Sequence, residues 1–327
     1  MVEYLNADEG ELRINDLYRL GVPFLFFTNY DCSRVFVAPI DSINTDKIRF
    51  STPLLSMPYA EPTGQRPKKW FVKPPTFDEY KRAFTHVAEN IRMGNSFLTN
   101  LTGRSALHTD MDMLQMYMAF SAPYKLYVED CFALFSPEPF VHIHGDVITT
   151  YPMKGTIMAD DYYAETRLLT DPKEMAEHAT IVDLLRNDLS IVADNVRVSK
   201  YRYVERIPGA KGELLQTSSA IKGRLKPCYV DNVGSAVFRM LPAGSITGAP
   251  KKSTMQIISD AEGESRGFYT GVFGVSDGKS LQSAVMIRFV ECRNGELFFR
   301  SGGGITSASN VHDEYEELIL KTNAPIY

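Results

Sequence analysis

The stretch from Tyr127 to Ile157 reads YVEDCFALFSPEPFVHIHGDVITTYPMKGTI, and apolar residues alternate with polar ones along much of it. Alternation with a period of two is typical of strands that bury one face, and Gly145-Asp146 supplies a turn between two such runs. The stretch therefore predicts an antiparallel meander. Helical patterns interrupt further strand-like runs elsewhere, without the regular alternation of a parallel sheet, which indicates an α+β fold.

Further helices and hairpins are predicted on both sides of this meander. Thr76 and Glu79 form a possible capping box at the start of one helix, and Asn310 is placed to cap the last one. Asp277-Gly278 and Asn294-Gly295 lie between strand-like runs and predict hairpin turns. The other predicted helices cover 111–120, 172–192 and 232–240, and the Pro-rich passage 53–75 is predicted to be a connector.

Composition limits the class of protein. The chain has 327 residues, which allows either one large unit or two domains. A net charge of −5 argues against nucleic-acid binding and favours a small-molecule partner. The N-terminal region is acidic and no apolar run approaches the ~20 residues of a membrane span, so we expect a cytoplasmic protein that does not bind a membrane. The four cysteines are widely spaced and suggest neither a zinc site nor a disulfide framework.

Pro152-Met153-Lys154-Gly155-Thr156 places an amine beside a glycine that a small anionic substrate can approach closely. Glu138 precedes Lys154 in the meander, and we interpret the segment between them as one β-hairpin whose two ends lie together. An acid and an amine would then share one site. A lysine with a pKa of about 10.4 is almost fully charged at neutral pH, so a nucleophilic Lys154 needs burial or nearby positive charge.

Two pairs of glutamates have helical spacing. Glu174 and Glu177 are three residues apart on one predicted helix, and Glu314 and Glu317 have the same spacing on the last helix. Residues at this spacing share a helical face, so each helix can direct two carboxylates to one point. Magnesium prefers such oxygen ligands and often bridges to an anionic substrate. Taken alone, glutamates at this spacing usually form a solvated helix face, and it is the occurrence of two such pairs within the surrounding motifs that favours a metal site.

These motifs, together with Gly244-Ser245-Ile246-Thr247-Gly248-Ala249-Pro250-Lys251 and Gly302-Gly303-Gly304-Ile305, resemble the chorismate-utilising enzymes. That family includes anthranilate, aminodeoxychorismate, isochorismate and salicylate synthases. The resemblance implies a single large domain of two stacked antiparallel β-sheets with helices packed outside. It covers 95–321 most clearly, which makes 76–327 the chorismate-binding catalytic core and 1–75 a shortened, strand-rich N-terminal part of the same domain.

Within the family, Lys154 resembles the aminodeoxychorismate synthases, whose lysine is thought to attack C2 of chorismate before ammonia adds at C4. Anthranilate synthases have alanine there and aminate C2. The resemblance makes Glu138 the acid that protonates the leaving C4 hydroxyl. It makes Glu177 and Glu317 direct magnesium ligands, with Glu174 and Glu314 acting through water. The implied substrate-binding residues are Gly155, Thr156, Ser245, Thr247, Gly248, Tyr269, Arg288, Gly303, Gly304 and Lys321.

Some positions depart from the family pattern. Pro139 stands where an arginine often follows the acid, and a histidine often found ahead of the Gly244 loop is not evident near Asn232. His178 matches a family histidine beside the metal glutamates, or simply packs between helix and sheet. No cysteine lies in a glutaminase motif, so the ammonia is expected to come from a separate glutamine amidotransferase subunit.

The resemblance therefore predicts component I of an aminodeoxychorismate synthase, which supplies the p-aminobenzoate branch of folate synthesis. Anthranilate synthase component I is the alternative if Lys154 is not the nucleophile, and isochorismate or salicylate synthase comes third. A further alternative, from a different class, is a catalytically inert homologue that only docks an amidotransferase. Intact acid, lysine and glutamate motifs argue against that last alternative.

Overall fold

The computed structural model describes residues 2–58, 61, 63–209 and 212–322. Several of its helices begin at residues whose side chains cap the first turn. The side chains of Thr76 and Asn310 accept hydrogen bonds from backbone N–H groups of the first turns that follow them, as predicted. Asp171 caps the long central helix, whose first residue is Pro172. The helices are α1 Ala7–Arg19, α2 Phe77–Arg92, α3 Met113–Ala119, α4 Ala164–Thr170, α5 Pro172–Val192, α6 Val233–Arg239, α7 Gly244–Thr247, α8 Lys251–Glu262 and α9 Val311–Leu320.

The strands, in chain order, are β1 Phe24–Thr28, β2 Val35–Pro39, β3 Ile48–Ser51, β4 Ser56–Met57, β5 Trp70–Lys73, β6 Leu98–Thr109, β7 Tyr124–Val128, β8 Phe132–Ser136, β9 Pro139–His144, β10 Val147–Thr150, β11 Met153–Met158, β12 Ala193–Gly209, β13 Gly212–Leu225, β14 Gly248–Ala249, β15 Val272–Ser276, β16 Ser280–Val285, β17 Phe289–Arg293 and β18 Glu296–Ile305. The two predicted hairpin turns join β15 to β16 and β17 to β18. The passage expected to be only a connector contains β4 and β5.

Within the described residues the strands form two antiparallel sheets. The first has the order β11-β13-β10-β9-β16-β15-β1-β2, with β12 paired to β13. The second has the order β14-β6-β18-β17-β8-β7-β3-β4, with β5 paired to β6. The N-terminal strands are therefore shared between both sheets. The division of the domain near residue 75 stays a prediction.

The side-chain pattern of β1 shows how the sheets are stacked. Leu25 and Phe27 pack with residues of β3, β7 and β8 from the second sheet, whereas Phe24 and Phe26 pack with α1, α5 and α6 on the other face. Successive side chains of a strand point to opposite faces, so a fully apolar β1 serves both layers. Helix α3 covers the outer face of the second sheet, and α2, α8 and α9 pack beside β6 and β18. The predicted two-sheet α+β fold is confirmed.

One sequence-based expectation about strand pairing is wrong. The hairpin after Glu138 ends at Thr150, because it consists only of β9 and β10. Lys154 lies on β11, which pairs with β13, and β13 is inserted between β10 and β11. Among the helices that the structure describes, none is both long and apolar enough to cross a membrane.

Candidate active site

A cavity of about 480 Å³ lies where the ends of β6, β11 and β18 meet helices α5, α7 and α9. Most of the residues predicted to form the site line this cavity. They are Glu138, Lys154, Gly155, Thr156, Glu174, Glu177, Ser245, Tyr269, Arg288, Gly303, Gly304, Glu317 and Lys321. The cavity thus brings together residues that are up to 183 positions apart in sequence, counting from 138 to 321.

An irregularity in the β11–β13 ladder positions Lys154. Met153 pairs with Ser218 and Thr156 pairs with Gln216, so two residues of β11 stand opposite one residue of β13. The second bulged residue, Gly155, has φ of +87°, a conformation that favours glycine. Such a bulge interrupts strand pairing and redirects a side chain. It gives Lys154 its place in the cavity wall.

The ammonium group of Lys154 contacts the carboxylates of α5. Its Nζ lies 2.8 Å from Oε2 of Glu177. Burial lowers the pKa of Lys154, but Glu177, Glu317 and Glu174 raise it by more, so the pKa lies above its ordinary value. In this arrangement Lys154 is a charged partner of the glutamates, and its use as a nucleophile requires that they be occupied by another cation.

Glu138 has the surroundings of a proton donor. Its N–H donates to Oγ of Ser136 at 3.1 Å, which fixes the start of β9, and its Oε1 accepts a hydrogen bond from Ser245 at 2.6 Å. Burial raises the pKa of the Glu138 carboxyl, and the opposing effects of Ser245, Lys321 and Lys154 are smaller. A raised pKa favours the protonated form of the carboxyl, which is the form a general acid requires.

Three of the four glutamates approach two glycines of the site. A Cβ built on Gly155 would lie 2.8 Å from Oε2 of Glu174. A Cβ built on Gly303 would lie 3.5 Å from Oε2 of Glu314 and 3.5 Å from Oε1 of Glu317. Glycine at both positions therefore gives the carboxylates and any ligand between them close access to the backbone.

The carboxylate set fits a divalent cation. Oε2 of Glu174 is buried and has no hydrogen-bond partner. Burial, followed by repulsion from Glu177, raises the pKa of Glu174. Burial also raises the pKa of Glu314, with a further contribution from Glu317. A bound magnesium ion would reduce the repulsion between these carboxylates and would give the unpaired oxygen of Glu174 a partner.

The glutamates are not held in a chelating arrangement. Across the part of the chain that the structure describes, no three Asp, Glu, His or Cys side chains form a ready-made metal cluster. Instead, Glu177 contacts Lys154, and Glu317 lies 2.6 Å from Nζ of Lys321. Lysine ammonium groups thus occupy the carboxylates that were predicted to be the direct ligands.

Arg288 supplies positive charge at the opposite wall. It stands between β16 and β17 with φ of +51°. Its Nη1 donates to the carbonyl of Lys321 at 3.1 Å, and no described carboxylate lies within ion-pair distance of its guanidinium. Tyr269 lines the same wall, and burial raises its pKa to about 12. Arg288 is therefore available to an anionic group of a ligand.

Three predicted site residues are not part of the cavity lining: Thr247, Gly248 and Glu314. Of these, Glu314 lies close to Gly303, which does line the cavity. A Cβ on Gly248 would lie 1.8 Å from the carbonyl oxygen of Leu98, which shows that close strand pairing requires glycine here. Thr247 is fully buried. In this structure both residues shape the turn, and their contact with substrate stays a prediction.

His178 has a structural environment. It is fully buried, and its Nε2 forms a 2.7 Å hydrogen bond with Oγ of Ser219. Ser219 also accepts a hydrogen bond from the N–H of Arg202. Burial lowers the pKa of His178, which keeps it neutral at this helix–sheet contact. The packing interpretation of this residue fits the structure.

Two charged residues of the cavity wall were missed by sequence reasoning. Lys173 precedes Glu174, and its Nζ lies 3.8 Å from Oε1 of Glu177. The spacing of four residues between Lys173 and Glu177 was a usable signal. Arg300, two residues before Gly302 on β18, is almost completely buried and is paired with Glu264 at 2.6 Å. Its partner is far away in sequence, so no local pattern revealed it.

The chain is similar in sequence to several known proteins. The family model described as chorismate binding enzyme matches residues 30–327. An uncharacterized PabA-like protein of Haemophilus influenzae is 45% identical over 304 residues, covering 93% of this chain and 92% of that protein. Aminodeoxychorismate synthase component 1 of Bacillus subtilis is 31% identical over 269 residues, covering 78% of this chain and 56% of that protein.

A solved structure supports the fold. Anthranilate synthase component I from Streptococcus pneumoniae superimposes with a TM-score of 0.71 at 22% identity, covering 96% of this chain and 85% of that one. At this level of identity the similarity concerns the arrangement of sheets and helices.

Proposed function

Because this chain belongs to the chorismate binding enzymes, we propose that it is component I of an aminodeoxychorismate synthase and replaces the C4 hydroxyl of chorismate by an amino group. The observation that carries the proposal is that Lys154 and Glu138 line one cavity. The relative from Bacillus subtilis, whose name states this activity, supports it.

The proposed chemistry assigns one role to each of these two residues. The neutral amine of Lys154 forms a bond to C2, the ring double bonds shift, and the C4 hydroxyl departs as water with the proton of Glu138. Ammonia then bonds to C4, the double bonds shift back, and the C2–nitrogen bond to Lys154 breaks. Glu138 is suited to the first step because its buried carboxyl has a raised pKa.

Magnesium is the proposed cofactor, held directly by Glu177 and Glu317 and through water by Glu174 and Glu314. When bound there, it supplies positive charge that competes with the Lys154 ammonium for these carboxylates and so favours the neutral amine. The unpaired oxygen of Glu174 supports this assignment.

Chorismate carries two carboxylates, and the cavity wall offers groups that suit them. Arg288 has no carboxylate partner among the described residues, and a planar guanidinium pairs well with a carboxylate. Gly303 and Gly304 line the cavity without a side chain, so a ligand can approach the backbone closely there. We propose that these groups, with Tyr269, orient the substrate so that its ring lies between Lys154 and Glu138.

The ammonia is proposed to come from a separate glutamine amidotransferase subunit. None of the chain's cysteines lines the described cavity. The enzyme is expected to accept ammonium salts directly when that subunit is absent, which allows the isolated chain to be assayed.

Anthranilate synthase component I is the second candidate, and one observation favours it. Lys154 is ion-paired with Glu177, and a lysine that only balances the metal-binding glutamates would leave C2 open to ammonia. In that case the residue would serve as a counter-ion and not as a nucleophile.

Product identification separates the two candidates. The purified chain is incubated with chorismate, magnesium chloride and ammonium chloride, and the aminated carbon is identified by mass spectrometry and NMR. We expect 4-amino-4-deoxychorismate. Anthranilate as the product would replace the first candidate by the second, and recovery of unchanged chorismate would contradict both.

A further inference from the structure

The turn Gly244–Thr247 carries Ser245, whose hydroxyl donates to Oε1 of Glu138 at 2.6 Å. This turn is held from helix α5. The N–H of Gly244 donates to Oδ2 of Asp188 at 3.2 Å. Four residues thus form a chain that runs from the buried carboxylate of Asp188, through Gly244 and Ser245 of the turn, to the Glu138 carboxyl that lines the cavity.

Asp188 is buried in an ion pair of its own. Its side chain is 9% exposed, and its Oδ1 lies 2.8 Å from Nζ of Lys251 at the start of α8. The same Nζ donates to the carbonyl of Met240, at the end of α6, at 2.6 Å. Each carboxylate oxygen of Asp188 therefore has one partner. Oδ1 pairs with Lys251, and Oδ2 accepts the hydrogen bond from Gly244 in the turn.

The contact between the turn and α5 leaves no free space. A Cβ built on Gly244 would lie 2.5 Å from Cδ2 of Leu184 and 2.7 Å from Oδ2 of Asp188. On the other side of Ser245, Nη1 of Arg266 donates to the carbonyl of Ile246 at 2.9 Å. The backbone is thus fixed immediately before and immediately after Ser245.

We propose that Asp188 is a positioning residue that acts through the N–H of Gly244 to keep the Ser245 hydroxyl on Glu138. Nothing in the established family membership assigns this role. The proposal depends on the proposed function in one respect only, namely that Glu138 is the catalytic acid. Without the acceptor of Asp188, the N–H of Gly244 would lose its partner in a buried place, and the turn would shift to find another.

The shift has a measurable consequence at Glu138. The charged and polar groups that face this carboxyl are Ser245, Lys321 and Lys154. A hydrogen bond donated to a carboxylate favours its charged form, so loss of the Ser245 contact raises the pKa of Glu138. Removing Asp188's acceptor and removing the Ser245 hydroxyl should therefore raise the same pKa.

Two double variants distinguish the loss of the hydrogen-bond acceptor at Asp188 from the loss of its charge. Asp188→Asn with Lys251→Met removes both charges but retains a carbonyl oxygen for the N–H of Gly244. Asp188→Leu with Lys251→Met removes the charges and the acceptor at similar side-chain volume. Both avoid an unpaired buried charge, which by itself would destabilise the fold.

The readout is the titration of Glu138 in protein labelled with ¹³C at glutamate carboxyls, with the signal assigned by its loss in Glu138→Gln. We expect the leucine variant to raise this pKa as far as Ser245→Ala does, by about one pH unit. The asparagine variant should keep the wild-type value. Adding Ser245→Ala to the leucine variant should produce no further rise, since both changes break the same contact.

An unchanged pKa in the leucine variant, or additive rises, would overturn the proposal. If the leucine variant does not fold, Asp188→Ala with Lys251→Met takes its place with the same expectations. The titration needs no turnover, so it remains decisive if the product differs from the proposed one. If the pKa rises as expected but chorismate consumption is unchanged, the acid role of Glu138 fails while the positioning role of Asp188 stands.

Discussion

The Nζ of Lys154 lies 2.8 Å from Oε2 of Glu177, so the candidate nucleophile and a candidate magnesium ligand share one contact. Competition for this carboxylate links the charge of the lysine to metal binding. Burial alone would lower the pKa of Lys154, but the neighbouring glutamates raise this pKa above its ordinary value.

Glu177→Gln should weaken magnesium binding. The amide keeps the shape of the carboxylate but loses its charge, and loss of a metal ligand or of its support commonly costs ten- to a hundredfold in affinity. We expect the magnesium concentration for half-maximal chorismate consumption to rise by about tenfold or more. Glu316→Gln, on the exposed side of α9 beside Glu317, is the matched control and should leave this concentration unchanged. An equal response of the two variants would contradict the assignment.

Lys154→Ala should abolish C4 amination, because the proposed route passes through a bond to its amine. We expect 4-amino-4-deoxychorismate to fall by about a thousandfold or more, with any slow remaining chemistry at C2. The matched control is Lys173→Ala, which removes another ammonium facing Glu177 but leaves the nucleophile. Product quantification by chromatography and mass spectrometry checks both. Normal product from Lys154→Ala would rule out the covalent route.

Local signals in the sequence predicted much of the fold, and non-local pairing explains what they missed. The predicted span of α5 matches the structure because Asp171 and Pro172 mark its start. The hairpin expected to end at Lys154 was wrong because β13, more than 50 residues further along, inserts between β10 and β11. No nearby residue signals that insertion or the resulting bulge. Glu138 and Lys154 nevertheless line the same cavity.

Glu138→Gln should lower turnover while leaving substrate binding largely intact. The amide occupies the same volume and can still contact Ser245, but it cannot donate an acidic proton. We expect kcat to fall about 10²- to 10⁴-fold with KM changed little. Because burial raises the pKa of Glu138, its protonated form persists to higher pH than that of an ordinary glutamate, and its contribution to the rate should fall as pH rises through that pKa. Initial rates across pH check both statements, and an equal rise in KM would point to a binding role instead.

His142 should make the fold sensitive to acid. Its Nε2 forms a 2.8 Å hydrogen bond with the hydroxyl of Tyr124, which joins β9 of one sheet to β7 of the other. Burial lowers the pKa of His142 to about 4. The unfolded chain, with an ordinary histidine pKa near 6.5, binds the proton more readily, so stability falls as pH drops from about 6.5 to 4. The full effect is up to about 3 kcal/mol at 1.36 kcal/mol per pH unit.

The measurement is urea-induced unfolding of wild type and His142→Gln at pH 7 and pH 4.5. Glutamine retains a polar partner for Tyr124 and does not titrate. The loss of unfolding free energy on acidification should therefore be smaller in the variant, by about 2 kcal/mol at pH 4.5. Equal losses in the two proteins would show that His142 is not a source of the acid sensitivity.

Gly155→Ala tests whether the bulge must leave room for the carboxylates that are proposed to bind magnesium. Gly155 has φ of +87°, and an added Cβ would lie 2.8 Å from Oε2 of Glu174 and 3.2 Å from Oγ1 of Thr217. Gly145→Ala is the matched control, since Gly145 has φ of +57° with nothing within 4 Å of an added Cβ. The control should cost only the backbone strain of about 1 kcal/mol.

Gly155→Ala should lower the unfolding free energy by about 2 to 4 kcal/mol, because steric overlap adds to that strain. It should also raise the magnesium concentration for half-maximal activity, since Glu174 has to move, whereas Gly145→Ala should not. Urea-induced unfolding and magnesium titration of initial rates measure the two effects. If both variants lose the same stability and retain wild-type magnesium dependence, the crowding between Gly155 and Glu174 has no functional role.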